Sequence, residues 1–246
     1  MSSNNKFVFI APMYNASETL PRMLHSICGQ SYENWELILI DDVSSEEHVK
    51  SARRTCTEFK SMFDGKYSEK ITNIWNVEKK WEVENVLHGL SICKDDDIIC
   101  RIDADDWLTD LDALAILDSA YIQTGCEILW TQHRWGFNDL NISDSMHPYA
   151  DPYRHEWVTS HLKTFRKKLL TGVKDENFRG PDGNYIRRAG DQAIYLPALH
   201  NTNKRFFLSR VMYHYTIDHR PETYHTEDAN FQKSEADFLR ERGYVK

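Results

Sequence analysis

The chain has 246 residues, of which 41% are hydrophobic and 28% charged, with a net charge of −8. That is enough for one large domain with a substantial core, and ten Gly and seven Pro leave no room for a long flexible linker. No apolar run nears the ~18–20 residues that cross a bilayer, which excludes an integral membrane segment. The polar stretch Met1–Lys6 leads straight into Phe7-Val8-Phe9-Ile10 without the longer apolar run of a signal peptide. Five cysteines (Cys28, Cys56, Cys93, Cys100, Cys126) include no CxxC pair and read as reduced thiols, so a cytoplasmic location is expected. The charge is uneven: residues 160–220 hold 12 Lys and Arg against 5 Asp and Glu, a net +7 within an acidic chain. Such a segment suits an anionic substrate or a solvated surface.

In chain order, Phe7–Ala11 reads as a buried strand that Pro12 ends. Ser17 and Pro21 then open a helix whose apolar face is Leu20, Leu24 and Ile27. Glu36–Ile40 is a second strand, ending in Asp41-Asp42, and a helix is expected over about 46–62. Ile71–Trp75 suits a third strand, and residues 83–93 carry helical spacing. Ile98–Ile102 is a fourth strand and ends in Asp103-Ala104-Asp105-Asp106. A helix over 110–122 and a strand over 127–132 follow. The second half is less regular: loop-like over 134–157, a basic helix near 161–170, a glycine-containing loop over 178–190, a helix over 191–199 and a strand over 206–215. The tail from about 227 is expected to be helical.

Strands alternating with helices predict an α/β fold with a Rossmann-like, mostly parallel sheet flanked by helices. Strands buried on both faces read as continuous apolar runs, as these do. Ligands of such sheets bind beyond the carboxyl ends of the strands. Three of those ends carry Pro12-Met13-Tyr14-Asn15, Asp41-Asp42 and Asp103-Ala104-Asp105-Asp106.

Clustered carboxylates repel, and a hard divalent ion such as Mn²⁺ or Mg²⁺ relieves that repulsion through oxygen ligands while keeping phosphate and water in its shell. An acidic turn capping the next helix is the competing reading. Asp41-Asp42 suits either a hydrogen bond to a base or ribose or a turn pair. Neither GxxxxGK[ST] nor GxGxxG occurs, so a bound phosphate would be neutralised mainly by metal.

At this point the sequence resembles the family 2 glycosyltransferases of GT-A fold. The resemblance rests on Phe7 through Asn15, Leu20, Gln30-Ser31-Tyr32, Glu36 through Asp42, and Ile102 through Asp106, over roughly the first 130 residues. It implies a nucleotide-sugar-binding half over 1–133, an acceptor-side half of the same domain over 134–226, and a helical tail over 227–246. It further implies metal-dependent, inverting transfer of a sugar from a nucleoside-diphosphate donor, UDP favoured, to an acceptor hydroxyl. Pro12, Tyr14, Asn15 and Asp41 or Asp42 would line the nucleotide pocket. Asp103 would meet ribose or metal and Asp105 the metal.

The family's catalytic carboxylate opens a later helix, and the matching residue is Asp191, in Ala189-Gly190-Asp191-Gln192; its competing reading is a helix N-cap. His214, rather than His219, resembles a late-strand histidine near the diphosphate or metal. His161 and Arg166, with Trp157 nearby, resemble the acceptor side. Where members carry Arg-Asn before the acidic strand, this chain has Glu84-Asn85. Asn85 is assigned to the donor site, with Lys79 or Lys80 standing in for the missing arginine.

A glycan or saccharide is the favoured acceptor, ahead of a protein or small molecule. A hydroxymethylated DNA base is an alternative, because Lys163, Arg166, Lys167, Lys168, Arg187 and Arg188 are compatible with phosphate contacts. Two rivals of another class are a nucleotidyltransferase and a non-catalytic nucleotide-sugar-binding module. The first normally has a basic, glycine-rich loop after its first strand, and residues 11–20 hold no Gly, Lys or Arg.

Overall fold

A computed structural model describes residues 5–136, 142–216 and 226–246. The elements in order are β1 (Phe7–Met13), α1 (Leu20–Cys28), β2 (Trp35–Asp41), α2 (Glu46–Gly65), β3 (Ile71–Trp75), α3 (Trp81–Ile92), β4 (Ile98–Arg101), β5 (Trp107–Leu108) and α4 (Ala113–Thr124). Then come β6 (Ile128–Trp135), β7 (Lys163–Arg166), two short 3₁₀ turns (Lys167–Leu170 and Asp175–Phe178), α5 (Gly190–His200), β8 (Arg205–Tyr215) and α6 (Thr226–Arg242). The strands form one sheet in the order β3-β2-β1-β4-β7-β6-β8-β5. β1 pairs in parallel with β2 and β4, as do β2 with β3 and β6 with β8. β7 runs antiparallel between β4 and β6, and β5 antiparallel to β8.

β1 shows why the apolar runs become central strands. Phe7, Phe9, Ala11 and Met13 pack with α1, α2 and α4 on one face, while Val8 and Ile10 pack with α3 and α5 on the other. Side chains alternate faces with period two, so a strand covered on both sides must be apolar throughout. Each fully buried Phe or Ile contributes roughly 1.5–3 kcal/mol. Helix α3 lies so close to β1 that a Cβ on Gly89 would sit 2.8 Å from Ile10 Cγ2; glycine is what lets the two backbones approach. The five cysteines are free thiols. Among the described residues no helix is long and apolar enough to cross a membrane.

The α/β architecture with parallel central strands is the expected one, but the short strand β5 and the segment 161–170 differ from expectation. The basic helix expected near 161–170 is instead the strand β7 followed by a 3₁₀ turn. Residues 163–166 complete the ladders of β4 and β6, registering Lys163 with Arg101 and Trp130. This tertiary pairing overrides local helical spacing.

Candidate functional site

The register brings the carboxyl ends of β1, β2 and β4 together: Met13 lies opposite Asp41, and Ile10 opposite Arg101. Beyond them opens a cavity of about 320 Å³, lined by Pro12, Tyr14, Asp42, Trp81, Glu82, Arg101, Asp103, Asp105, Arg187 and Arg188, among others. The acid turn between β4 and β5 forms its floor. Asp106 faces inward, accepting hydrogen bonds from the Tyr213 hydroxyl (2.6 Å) and the Thr216 amide (2.7 Å). Burial, then Asp103 and Asp105, push its pKa well up. Asp106 therefore fixes the turn, leaving Asp103 and Asp105 to face the cavity.

Asp42 closes another wall. Its carboxylate accepts the Lys80 amide (2.7 Å), the Trp81 amide (3.0 Å) and the Asn76 side-chain amide (3.2 Å). It thereby caps the start of α3 across space and holds Trp81 at φ +61°. A bulky residue adopts the left-handed region only when its surroundings impose it, and such positions cluster at ligand sites. Here the result aims the indole at the cavity mouth, with Lys79 Nζ 4.9 Å from its ring and 3.2 Å from that of Tyr14. Arg187 and Arg188 approach the same indole.

Asp41 and Asn15 do not line the cavity. Asp41 accepts the Ser44 amide, and Asn15 accepts the Ser45 amide, so both shape the β2–α2 turn. Asn85 is fully buried and accepts from Asn76, one step behind Asp42. Lys80 pairs with Glu84, so of the two lysines Lys79 is the one at the mouth.

A second cavity, of about 590 Å³, adjoins the first. His133, Trp135, Trp157, His161, Asp191 and Tyr215 line it, and one face of α6 closes it. Asp191 stands at the start of α5, ion-paired to Lys163 of β7, a lysine only 1% exposed. His161 Nε2 and Arg101 Nη1 each lie 3.8 Å from its carboxylate. Burial alone raises the pKa of Asp191, but Lys163 and then Arg101 outweigh burial and hold it well below the usual carboxylate range. His161 is kept neutral by burial and by Lys163.

Arg101 joins the two cavities. Its guanidinium binds Asp103 with both terminal nitrogens (2.7 and 3.0 Å) and Glu82 at 2.6 Å. Burial, opposed by Arg101 and reinforced by Asp191 and Asp103, pushes Glu82 up to about 7. The Glu82 carboxylate is so near the start of α5 that a Cβ on Gly190 would lie within 2.7 Å of it. Sequence reading missed Glu82 and Arg101, and named Lys163 only as compatible with phosphate contacts, not as the partner of Asp191. They sit inside regular elements, and only the sheet register brings them together.

Two assigned residues lie elsewhere. Arg166 points to the opposite end of the sheet, bonding Asp96 O and Asn5 Oδ1. It lies three residues beyond Lys163 on a strand that leads away from the cavities. His214 stacks on Trp107 at 3.7 Å; Tyr213 faces Asp106, and strand alternation turns its neighbour away. His219 lies outside the described residues. Of the basic residues of 160–220, Lys163 is buried, Lys167 pairs with Asp95, Lys168 with Glu127, and Arg187 and Arg188 face the first cavity. Among the described residues no three His, Cys, Asp or Glu side chains converge as a metal-binding group. Two carboxylates in one cavity, Asp103 and Asp105, fit a hard ion that draws its remaining oxygens from phosphate and water.

The sequence model of the family described as Glycosyl transferase family 2 matches residues 8–195. EpsE of Bacillus subtilis, provisionally named a glycosyltransferase, is 36% identical over 106 residues, covering 43% of this chain and 35% of EpsE. The poly(ribitol-phosphate) β-N-acetylglucosaminyltransferase TarS of Staphylococcus aureus is 24% identical over 221 residues, covering 85% of this chain and 35% of TarS. The chain thus spans about a third of the length of these relatives. Among solved structures, TarS 1–349 with UDP-GlcNAc superposes with a TM-score of 0.66 at 18% identity, over 87% of this chain and 59% of that one. The mannosyltransferase PcManGT of Pyrobaculum calidifontis, with GDP-Man and Mn²⁺, gives 0.60 at 16% identity, over 89% and 59%. At these identities the likeness is one of fold.

Proposed function

Because the chain belongs to glycosyl transferase family 2, we propose that it transfers a sugar from a nucleoside-diphosphate donor to a saccharide or polyol hydroxyl, with inversion. The observation that carries this reading is Arg101. One guanidinium touches Asp103 in the first cavity and lies 3.8 Å from Asp191 in the second. A donor in the first cavity and an acceptor in the second would therefore meet at the wall they share. UDP is the favoured nucleotide, since TarS is solved with UDP-GlcNAc; PcManGT, solved with GDP-Man, keeps GDP as the comparison donor.

Pro12, Tyr14 and Trp81 offer apolar and aromatic walls for the nucleoside. Lys79, Arg187 and Arg188 bring positive charge to the diphosphate. Asp103 and Asp105 would hold a divalent ion such as Mn²⁺ or Mg²⁺, which supplies charge stabilisation for the departing diphosphate. Asp191 is the base. Kept ionised by Lys163 and Arg101, it is an acceptor-only carboxylate facing the second cavity. As the acceptor oxygen bonds to the anomeric carbon, its proton passes to Asp191 and the glycosyl–phosphate electron pair leaves with the nucleotide.

Trp135, Trp157 and Tyr215 give that cavity the aromatic walls on which sugar rings stack, with Asp191 as its polar anchor. Of the basic residues named for a nucleic-acid backbone, Lys163 is buried against Asp191 and Lys167 and Lys168 are ion-paired, so a saccharide is the favoured acceptor. The test is Asp191→Asn. The expected outcome is transfer reduced at least ~100-fold with nucleotide-sugar affinity within a factor of about three. Unchanged transfer by Asp191→Asn would remove Asp191 from the reaction.

A further inference from the structure

The strip from Arg187 to Asp191 runs along the wall between the two cavities. Arg187 and Arg188 face the first, Ala189 and Asp191 the second, and Gly190 lies against Glu82. Its position decides where the base and two cations stand. Strand pairing does not hold this strip; α6 does. The Glu235 carboxylate, 7% exposed, accepts three successive amides: Arg187 (3.0 Å), Arg188 (2.8 Å) and Ala189 (3.1 Å). Successive amides aimed at one point form a concave anion site, and here the protein's own carboxylate fills it. Gln232 donates to Arg188 O (3.1 Å) one helical turn earlier. On the far side of the base, Arg240 donates to the Gln192 side chain at 2.8 Å, and also to His155 O at 2.5 Å.

We propose that Glu235 is a positioning residue of the transferase site: it fixes the 187–191 strip so that Asp191 meets the acceptor and Arg187 and Arg188 meet the donor. The inference rests on the function proposed above. Glu235 touches neither cavity's contents and acts through the amides it binds. Charge-assisted hydrogen bonds are roughly twice as strong as neutral ones, and displacement of a reacting group by about 1 Å costs on the order of 100-fold in rate. Glu235→Gln removes the charge and places an amide nitrogen where an acceptor is needed. Glu235→Asp keeps the charge but draws it back by one methylene.

The experiment uses the full chain with Mn²⁺ and UDP-GlcNAc, UDP-glucose and GDP-mannose. Nucleotide release is measured per folded molecule, together with amide hydrogen exchange over the strip. The expected result is a graded loss of kcat, at least tenfold for Glu235→Gln and severalfold for Glu235→Asp. Donor KM rises, and exchange accelerates over 187–191 while the central strands stay protected. If Glu235→Gln does not fold, the same measurements on Glu235→Asp decide. A kcat within twofold of the unaltered chain for either folded variant overturns the proposal and leaves the function standing. An unaltered chain that releases no nucleotide from any donor overturns the function, and the role of Glu235 with it.

Discussion

The charges on Asp191 and its neighbours set the pH behaviour of the site. Lys163 lowers the pKa of Asp191, so removing that cation should let the pKa rise. Lys163→Met is therefore expected to move the acid limb of the kcat–pH profile upward. A limb that does not move would show that Asp191 does not report there. The buried histidines affect stability instead. Burial, and then Lys163, lower His133 to about 4. Between pH 6.5 and 4 the unfolded chain binds a proton at this residue and the folded chain does not, so stability falls as the pH drops through that window. His161 shifts in the same direction. His133→Gln should flatten the dependence of the thermal midpoint on pH between 6.5 and 4, and an unchanged slope would contradict the assignment.

At the scale of elements, the start of α3 depends on a residue from another strand. Asp42 supplies what an N-cap side chain normally would, accepting the amides of Lys80 and Trp81. Asp42→Ala is expected to cost about 0.5–2 kcal/mol, the usual range for a lost cap, and to weaken nucleotide-sugar binding by releasing Trp81. Denaturant unfolding and donor titration check both parts. Trp81→Gly should bind donor as poorly while losing little stability, since glycine accepts the positive φ that tryptophan does not. This element also marks where sequence reading stopped. β1, β2 and β4 were legible as apolar runs, the last two ending in acids, because burial on both faces writes itself into composition. β7 was not: four residues headed by Lys163 carry no strand signature, and only the gap between β4 and β6 makes them one. Asp191 was reached only through the family resemblance, as the acid opening a later helix, whereas Glu82, Arg101 and Glu235 were invisible. Their partners lie on separate elements, and no local pattern records such contacts.

At the scale of the whole molecule, the sheet interleaves the two halves of the sequence. β7 sits between β4 and β6, and β8 pairs with both β6 and β5. Neither half keeps a complete sheet alone, so thermal unfolding followed by circular dichroism and by tryptophan fluorescence is expected to give one coincident transition. Two separated transitions would mean independent units. The same interleaving explains how Arg101, in the cavity at the parallel strand ends, comes to lie 3.8 Å from Asp191 in a second cavity lined from β6, β8, α5 and α6.

The central claim is that carboxylates at these strand ends serve a nucleotide sugar. The direct measurement is nucleotide release from UDP-, GDP-, CMP- and dTDP-sugars, with and without Mn²⁺, for the unaltered chain and for Asp105→Ala. The account predicts metal-dependent release from one donor class, UDP-sugars first, lost in Asp105→Ala. Absence of release together with absence of metal-dependent nucleotide binding would contradict it, and would leave a binding module in place of a transferase.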